Sequence, residues 1–464
     1  MANRYYFRWL SSILLLAATP LMGANHYIRA GSSSSANGND WANACAWFTG
    51  NCAPSKLLRG DTYYVASGTY PNATVDFNTP VSGTAVITIK KATVANHGTS
   101  TGWSDSFAAG PARIVQDSSQ ANVIGFSTSY WVFDGQTGGG PGGWKTGFGF
   151  YVDTTRVSNP APGPGTNDNV NNVTISHVEI EGDHGDGDGS GGSANDGFTA
   201  GLGNNINLSY MYIHDQGRTA LFWRASNSTI QYSWMARNES TAGQHSEGIA
   251  VWSGIGTRVA NVTFANDVWE DIEGTGIIVA TIDGMQVYGN VFFTTSSYNQ
   301  SRGGLGNGAV TTWTAATCQS GCGAGAEGVS NIQVYNNTFV ATAGVTFPNV
   351  ASSNIQAYNN MFYNNNPVFE NVGTHDYNWF FNSGTQSEAH MQTGTSSPFV
   401  NAANGDFHLL AHTNSGFVLV SPFNIDAEGN TRGAGGVWDR GTYQYGLTTS
   451  TGLLPPTNLQ SIVN

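Results

Sequence analysis

NVTISHVEIEG (172–182), NINLSYMYIHD (205–215), NSTIQYSWMAR (227–237) and NVTFANDVWED (261–271) are four renderings of one segment. GMQVYGNVFFT (284–294), NIQVYNNTFVA (331–341) and NIQAYNNMFYN (354–364) continue the series. The fourth place is apolar in every copy: Ile175, Leu208, Ile230, Phe264, Val287, Val334 and Ala357. Five residues on comes Ile180, Ile213, Met235, Trp269, Phe292, Phe339 or Phe362. Successive copies begin 33, 22, 34, 23, 47 and 23 residues apart. A base period of 22 or 23 with insertions is the signature of a solenoid.

Val, Ile, Thr, Tyr and Phe alternate with period two through these copies, and no 3.6-residue period runs through them. Second apolar runs follow at TALFW (219–223), EGIAVW (247–252), TGIIVA (275–280) and GAVTTW (308–313). Two or three short strands per turn leave no room for a helix. The chain is therefore expected to be all-β, a coil of parallel strands with continuous inward rows. Its Asn-rich corners are expected to pair amide to amide from coil to coil.

These repeats resemble the right-handed parallel β-helix proteins of the pectin-lyase-like superfamily, over about Asp61 to Tyr445. LLRGDTYYVASGTYPN (57–72) is similar to a first coil of that group. SPFNIDAEGNTRGAGGVWDRGTYQYG (421–446) is similar to a last one, with Asp439-Arg440-Gly441-Thr442 in place of the usual Asp-Ile-Gly-Ala. The resemblance implies a polysaccharide-active protein but no particular activity, because the superfamily shares no catalytic motif.

Residues 1–24 read as a secretory signal peptide, with Arg4 and Arg8 ahead of a short apolar core around 13–18 and small residues at Gly23-Ala24. Residues 25–60 are expected to form an N-terminal cap in which WANACAWF (41–48) has helix-compatible spacing. The β-helix is expected over 61–446 and a linker-like tail over 447–464. No further segment is apolar and long enough to span a membrane. A secreted or periplasmic monomer is expected. With 30 acidic against 17 basic residues, no phosphate-neutralising patch is visible, which argues against nucleic acid as partner. An extracellular polysaccharide is the expected partner. Cys45 with Cys52, and Cys318 with Cys322, are expected to pair after export.

Stacking turns register into geometry. Aligning the second runs on a small residue puts Gly197, Ala220, Gly248, Gly276 and Gly308 in one column. Asp196, Thr219, Glu247, Thr275 and Asn307 precede it, with Arg218, His245 and Glu273 one or two places earlier. Coils lie about 4.8 Å apart, so Asp196, Arg218, His245, Glu247 and Glu273 fall on one patch. Arg218, His245, Glu247, Glu273 and His214 are the candidate catalytic residues, and Asp196, Asp215 and Asn307 the candidate sugar contacts. Asp215, Arg237 and Asp271 share another register with alternating sign, which reads as a structural charge ladder.

The loop GDHGDGDGSGGSANDG (182–197) offers Asp183, Asp186 and Asp188 as oxygen ligands for Ca²⁺. Lyases of the family resembled use a Lys or Arg base and Ca²⁺. The only lysines here are Lys56, Lys90, Lys91 and Lys145, none of them within 172–372. That leaves Arg218 or His245 as base for β-elimination of a uronic-acid polymer. A glycoside hydrolase would instead use Glu247 with Asp196 or Glu273, and a binding-only solenoid would use neither. Asp196 and Glu247, two coils apart, are separated by about 9.6 Å of strand spacing.

Overall fold

The computed structural model describes residues 23–71, 74–116, 123–155, 163–183, 195–239, 246–252, 258–295, 308–312, 328–348, 352–384 and 386–446. His245, Asn307, Asp186, Asp188, Cys318, Cys322, the tail 447–464 and nearly all of the signal peptide lie outside them. The described chain winds as a right-handed parallel β-helix. A 12-stranded parallel sheet forms one face. A 21-stranded sheet forms two more, joined through the 12-residue strand Phe198–Ser209, whose register shifts between Ala200 and Gly203.

The repeat sets the register. Ile175, Leu208, Ile230, Phe264, Val287, Val334 and Ala357 pair in sequence along the large sheet. Ile180, Ile213, Met235, Trp269, Phe292, Phe339 and Phe362 do the same in the 12-stranded sheet. Period-two alternation turns both rows inward, and every member is 4 % exposed or less. From Trp269 the second row becomes a stack of aromatic rings through Phe292, Phe339, Phe362 and Phe380. Neighbouring centroids lie 4.9–5.7 Å apart and planes within 12°. Offset stacking at that spacing adds to the burial of each ring.

The corners are amide ladders. In the buried one, Asn290, Asn337 and Asn360 each donate through backbone N and Nδ2 to the Oδ1 of the next member, ending at Asn378. Each Nδ2 also reaches an inward carbonyl: Phe264, Val287 and Val334. A more exposed ladder runs through Asn172–Asn205 and Asn204–Asn227–Asn261.

The small-residue column exists because the backbone passes too close for a side chain. A Cβ on Gly248 would lie 2.5 Å from both the Gly276 carbonyl oxygen and the Trp269 ring. Four of the five expected members align, and the fifth is corrected: Ile277 pairs with Val310, so Ala309, not Gly308, continues the column. Gly308 therefore takes the register given to Asn307.

In the 25–60 segment, Asn25–Ile28 pairs with Thr62–Val65 as the first rung. The stretch 41–48 is turns, not helix. Trp41, Ala44, Cys45 and Phe48 are all buried as their spacing required. The bridge from Ile28 to Cys45 and the Cys45–Cys52 disulfide hold an open, non-helical path.

Candidate functional site

Two groups of ionisable side chains share the bend that leaves the strand Tyr212–His214 and enters Leu221–Ser226. The first gathers the expected patch. Arg218 Nη1 lies 3.3 Å from Asp196 Oδ2, and its guanidinium rests 5.1 Å from the centroid of the Phe222 ring. Asp196 Oδ1 also accepts from the Thr219 backbone at 3.3 Å and from its hydroxyl. Burial pushes the Asp196 carboxyl up, against the pull of Arg218.

Glu247 stands two coils from Asp196 on the same column and is 4 % exposed. Burial pushes its carboxyl up to about 7; Arg218 opposes the shift and Asp196 adds to it. Arg218, Asp196 and Glu247 thus feel one another, as the register required. Glu273 sits on the neighbouring flank, its backbone N donating to Asn238 O at 3.1 Å. Glu239, whose N donates to Gln216 O, is a buried carboxyl on that flank that the sequence reading passed over.

The second group covers the outer face of the 12-stranded sheet. One row runs Tyr151, Glu179, Tyr212, Trp234, Val268; its neighbour runs Asp153, Glu181, His214, Ala236, Glu270. Beyond Glu270 the face is closed, because Val291, Phe293, Val340 and Met361 pack with Phe399, Phe407 and Leu409 of the C-terminal segment. Between Tyr212 and Glu270 the loop 136–149 lies across the face and buries Tyr212 and Ala236, leaving the polar side chains along its edge.

His214 Nδ1 bonds Asp215 and its Nε2 lies 3.3 Å from Glu179. Burial alone would push the imidazole down, but these two carboxylates overcome it and raise it. Asp215 is gripped by Arg237 through Nε and Nη2, both at 2.6 Å. Burial opposes ionisation of Asp215, yet His214 and Arg237 hold it below the usual carboxylate range. The ladder is confirmed for this pair and corrected for its third member. Asp271 shares the register but accepts from Thr295 N (2.6 Å) and Oγ1 (2.9 Å).

Glu181, His214 and Asp215 place donor atoms within 4.8 Å of one another, close enough to share a metal ion. Its fit to Ca²⁺ is poor. That ion takes six to eight oxygens, whereas one donor here is an imidazole. Arg237 already holds both Asp215 oxygens, and the Tyr151 hydroxyl donates to Glu181. Asp183 is half-buried two residues beyond Glu181, while its expected co-ligands Asp186 and Asp188 fall outside the described residues.

Three cations lie on or beside this face, of which Arg113 and Lys145 were not anticipated. Arg113 pairs with Asp153 and lies 5.3 Å from the centroid of the Tyr151 ring. Arg237 was read as structural only. Lys145 arrives from the loop 136–149, pairs with Glu270, and stands 4.2 Å from the centroid of Trp234. Alternation predicts that Arg113 faces outward; nothing local connects Lys145 to a residue 125 positions away.

No protein-family model matches the chain, and no curated protein sequence matches it. Solved structures do. Pectate lyase Pel9A aligns with TM-score 0.50 at 14 % identity, over 91 % of this chain and 96 % of its own. The chain is similar to it in fold. A lacto-N-biosidase from Eubacterium ramulus aligns with TM-score 0.44 at 12 % identity, over 81 % of this chain and 67 % of its own. PfbA, a surface adhesin of Streptococcus pneumoniae, aligns with TM-score 0.43 at 13 % identity, over 74 % and 86 %. The parallel sheets and the likeness to Pel9A show the expected parallel β-helix. Function has to be argued from the site.

Proposed function

We propose that this protein is an extracellular polysaccharide lyase that cleaves a uronic-acid-containing polymer by β-elimination. The observation that supports it is the Arg218–Glu247 pair: a guanidinium beside a carboxyl that ionises near pH 7. β-Elimination needs a cation on the uronate carboxylate, to stabilise charge as the neighbouring C–H bond breaks, and a base for that proton. Arg218, steadied by Asp196, supplies the cation. Glu247 in its ionised form supplies the base, and a carboxylate with affinity near the working pH is suited to it. This replaces Arg218 or His245 as the expected base. The C–H electrons form the C4–C5 double bond, the C4–O bond breaks, and the departing oxygen takes a proton from solvent. His214, Asp215 and Arg237 belong to the binding face rather than to the proton transfer. The Cys45–Cys52 disulfide supports an oxidising location.

A glycoside hydrolase is the second reading, favoured by the same carboxyl, since protonated Glu247 would be a general acid with Asp196 as its partner base. The two readings have opposite pH limbs. As a base, Glu247 gives turnover that rises through about pH 7. As an acid, it gives turnover that falls there. Incubation with pectic, alginate-type and neutral polysaccharides separates the products: ultraviolet absorbance of an unsaturated end for a lyase, reducing ends without absorbance for a hydrolase. Glu247→Gln should lower turnover by about 10²-fold or more in either case. A Glu247→Gln protein with undiminished activity would remove this site, and silence on every polymer would leave a binding solenoid.

A further inference from the structure

The loop 136–149, QTGGGPGGWKTGFG, is half glycine, a composition that is costly to order. It is nevertheless fixed at both ends and along its length. Gly149 N donates to Thr137 O at 3.2 Å and the Thr137 hydroxyl donates to Gly147 O at 2.9 Å, closing the neck. His177 Nδ1 lies 2.6 Å from Gly138 O, and a Cβ on Gly140 would come within 2.7 Å of the Tyr210 ring. From that footing the loop runs across the 12-stranded sheet. Phe148 stacks on Tyr212 at 6.3 Å, Trp144 meets Trp234 edge-on at 5.8 Å, and Lys145 reaches Glu270. Glu270 lies four coils beyond the strand Phe150–Asp153 that follows the loop, about 19 Å along the axis.

This strap sets one ammonium group at the closed end of the polar face. Lys145 and Glu270 side chains keep 34 % and 15 % of their surface in solvent. The Trp234 indole N–H donates to the same Glu270 oxygen at 2.9 Å, so Glu270 stays held if its lysine turns away. An arriving carboxylate can therefore take the ammonium without stranding Glu270. Five carboxylates line this face (Asp153, Glu179, Glu181, Asp215 and Glu270), and a polyanion docks against them only through cations. Arg113 and Arg237 are each committed to a carboxylate through two nitrogens. Lys145 is held to its carboxylate by a single point contact.

We propose that Lys145 is a specificity-determining residue that binds a carboxylate of an acidic polysaccharide at the far end of the sheet face. The inference rests on the uronate reading above, but it concerns recognition rather than proton transfer. Binding is measured by titration calorimetry on Glu247→Gln protein, with and without Lys145→Gln. The probes are polygalacturonate, alginate and the carboxyl-reduced form of each. Lys145→Gln should weaken polyuronate binding about 10-fold, the scale of one charge-assisted contact. It should leave the carboxyl-reduced polymers unchanged, and Lys145→Arg should restore most of the loss. Equal loss for reduced and native polymers would make Lys145 a packing element of the strap and overturn the inference, as would no loss at all. If Glu247→Gln retains full turnover while Lys145→Gln still weakens polyuronate binding, the reaction reading fails and Lys145 stands. Binding of neither polyuronate to the wild-type protein overturns both.

Discussion

Replacing Asp267 by Asn should stabilise the protein at neutral pH, and the buried ladder says by how much. Asp267 occupies an asparagine's place in that ladder: Ser233 N donates to its Oδ1 at 2.8 Å, and its own N donates to Asn290 Oδ1 at 2.8 Å. In the next three members the other side-chain atom is an amide nitrogen, giving one hydrogen bond inward and one onward. In Asp267 it is Oδ2, buried and without a hydrogen-bond partner. The inward acceptor there is the carbonyl of Ile230, in register with Phe264. A carboxylate would set acceptor against acceptor, and burial raises the group well above the usual carboxylate range, against the pull of the Ser233 and Ala265 backbone N–H groups. The sign follows from proton linkage. The folded state keeps a proton that the unfolded chain loses near pH 4, so stability falls as pH rises above that value. Each pH unit costs about 1.4 kcal/mol. The cost grows as pH rises from 4 toward 7, and Asp267→Asn removes it. The one hydrogen bond that the new amide adds over the protonated carboxyl contributes about 1 kcal/mol more at either pH. Urea denaturation of both proteins at about pH 4 and pH 7 reads the difference. A gain that is larger at pH 7 than at pH 4 is expected. A variant that gains the same amount at both pH values, or loses stability at pH 7, would refute the neutral-carboxyl argument.

Phe339→Ala removes a ring from the middle of the aromatic stack and should cost about 3–5 kcal/mol in the same assay; a cost under about 1 kcal/mol would show that the stack collapses around the gap. His408 bonds Asp406 and Glu428 and stacks on Tyr443 at 4.3 Å, and its hydrogen bond to Glu428 leads the shift that raises it to about 9. Its contribution is complete below the unfolded value near 6.5 and is lost as pH rises through about 9. The melting temperature should therefore fall over that window, and His408→Gln should flatten the fall; an unchanged slope would place the pH dependence elsewhere.

The fold was legible because every coil repeats the same demand. A solenoid must turn an apolar residue inward at matching places in each coil, so Ile175 to Ala357 and Ile180 to Phe362 could be aligned by eye. The paired strands follow that alignment residue for residue. The method failed where an insertion intervened. Between Phe293 and Val310 the period is lost, and Gly308 was taken as the anchor because it is a glycine. The column needs only a residue that fits against its neighbour, and Ala309 does. Helical spacing at 41–48 misled for a related reason. It reports which side chains are buried, and turns pinned by a disulfide bury the same four.

The site was legible only as far as it follows the coil. Asp196, Arg218 and Glu247 converge because register alone brings them together, and the charge coupling around Glu247 follows from that. Lys145 shows the limit. The absence of lysine from 172–372 was taken to leave Arg218 or His245 as the base, as though coils were built solely from their own residues. An insertion leaves the coil's plane and returns, and what it carries is placed along the axis by its own packing. Here Phe148 on Tyr212 and Trp144 on Trp234 set that reach. Neither contact is encoded by period, spacing or charge pattern. In a solenoid, then, register is the right tool for the walls of a groove, and the chemistry of its insertions has to be sought along the whole length of the face they cross.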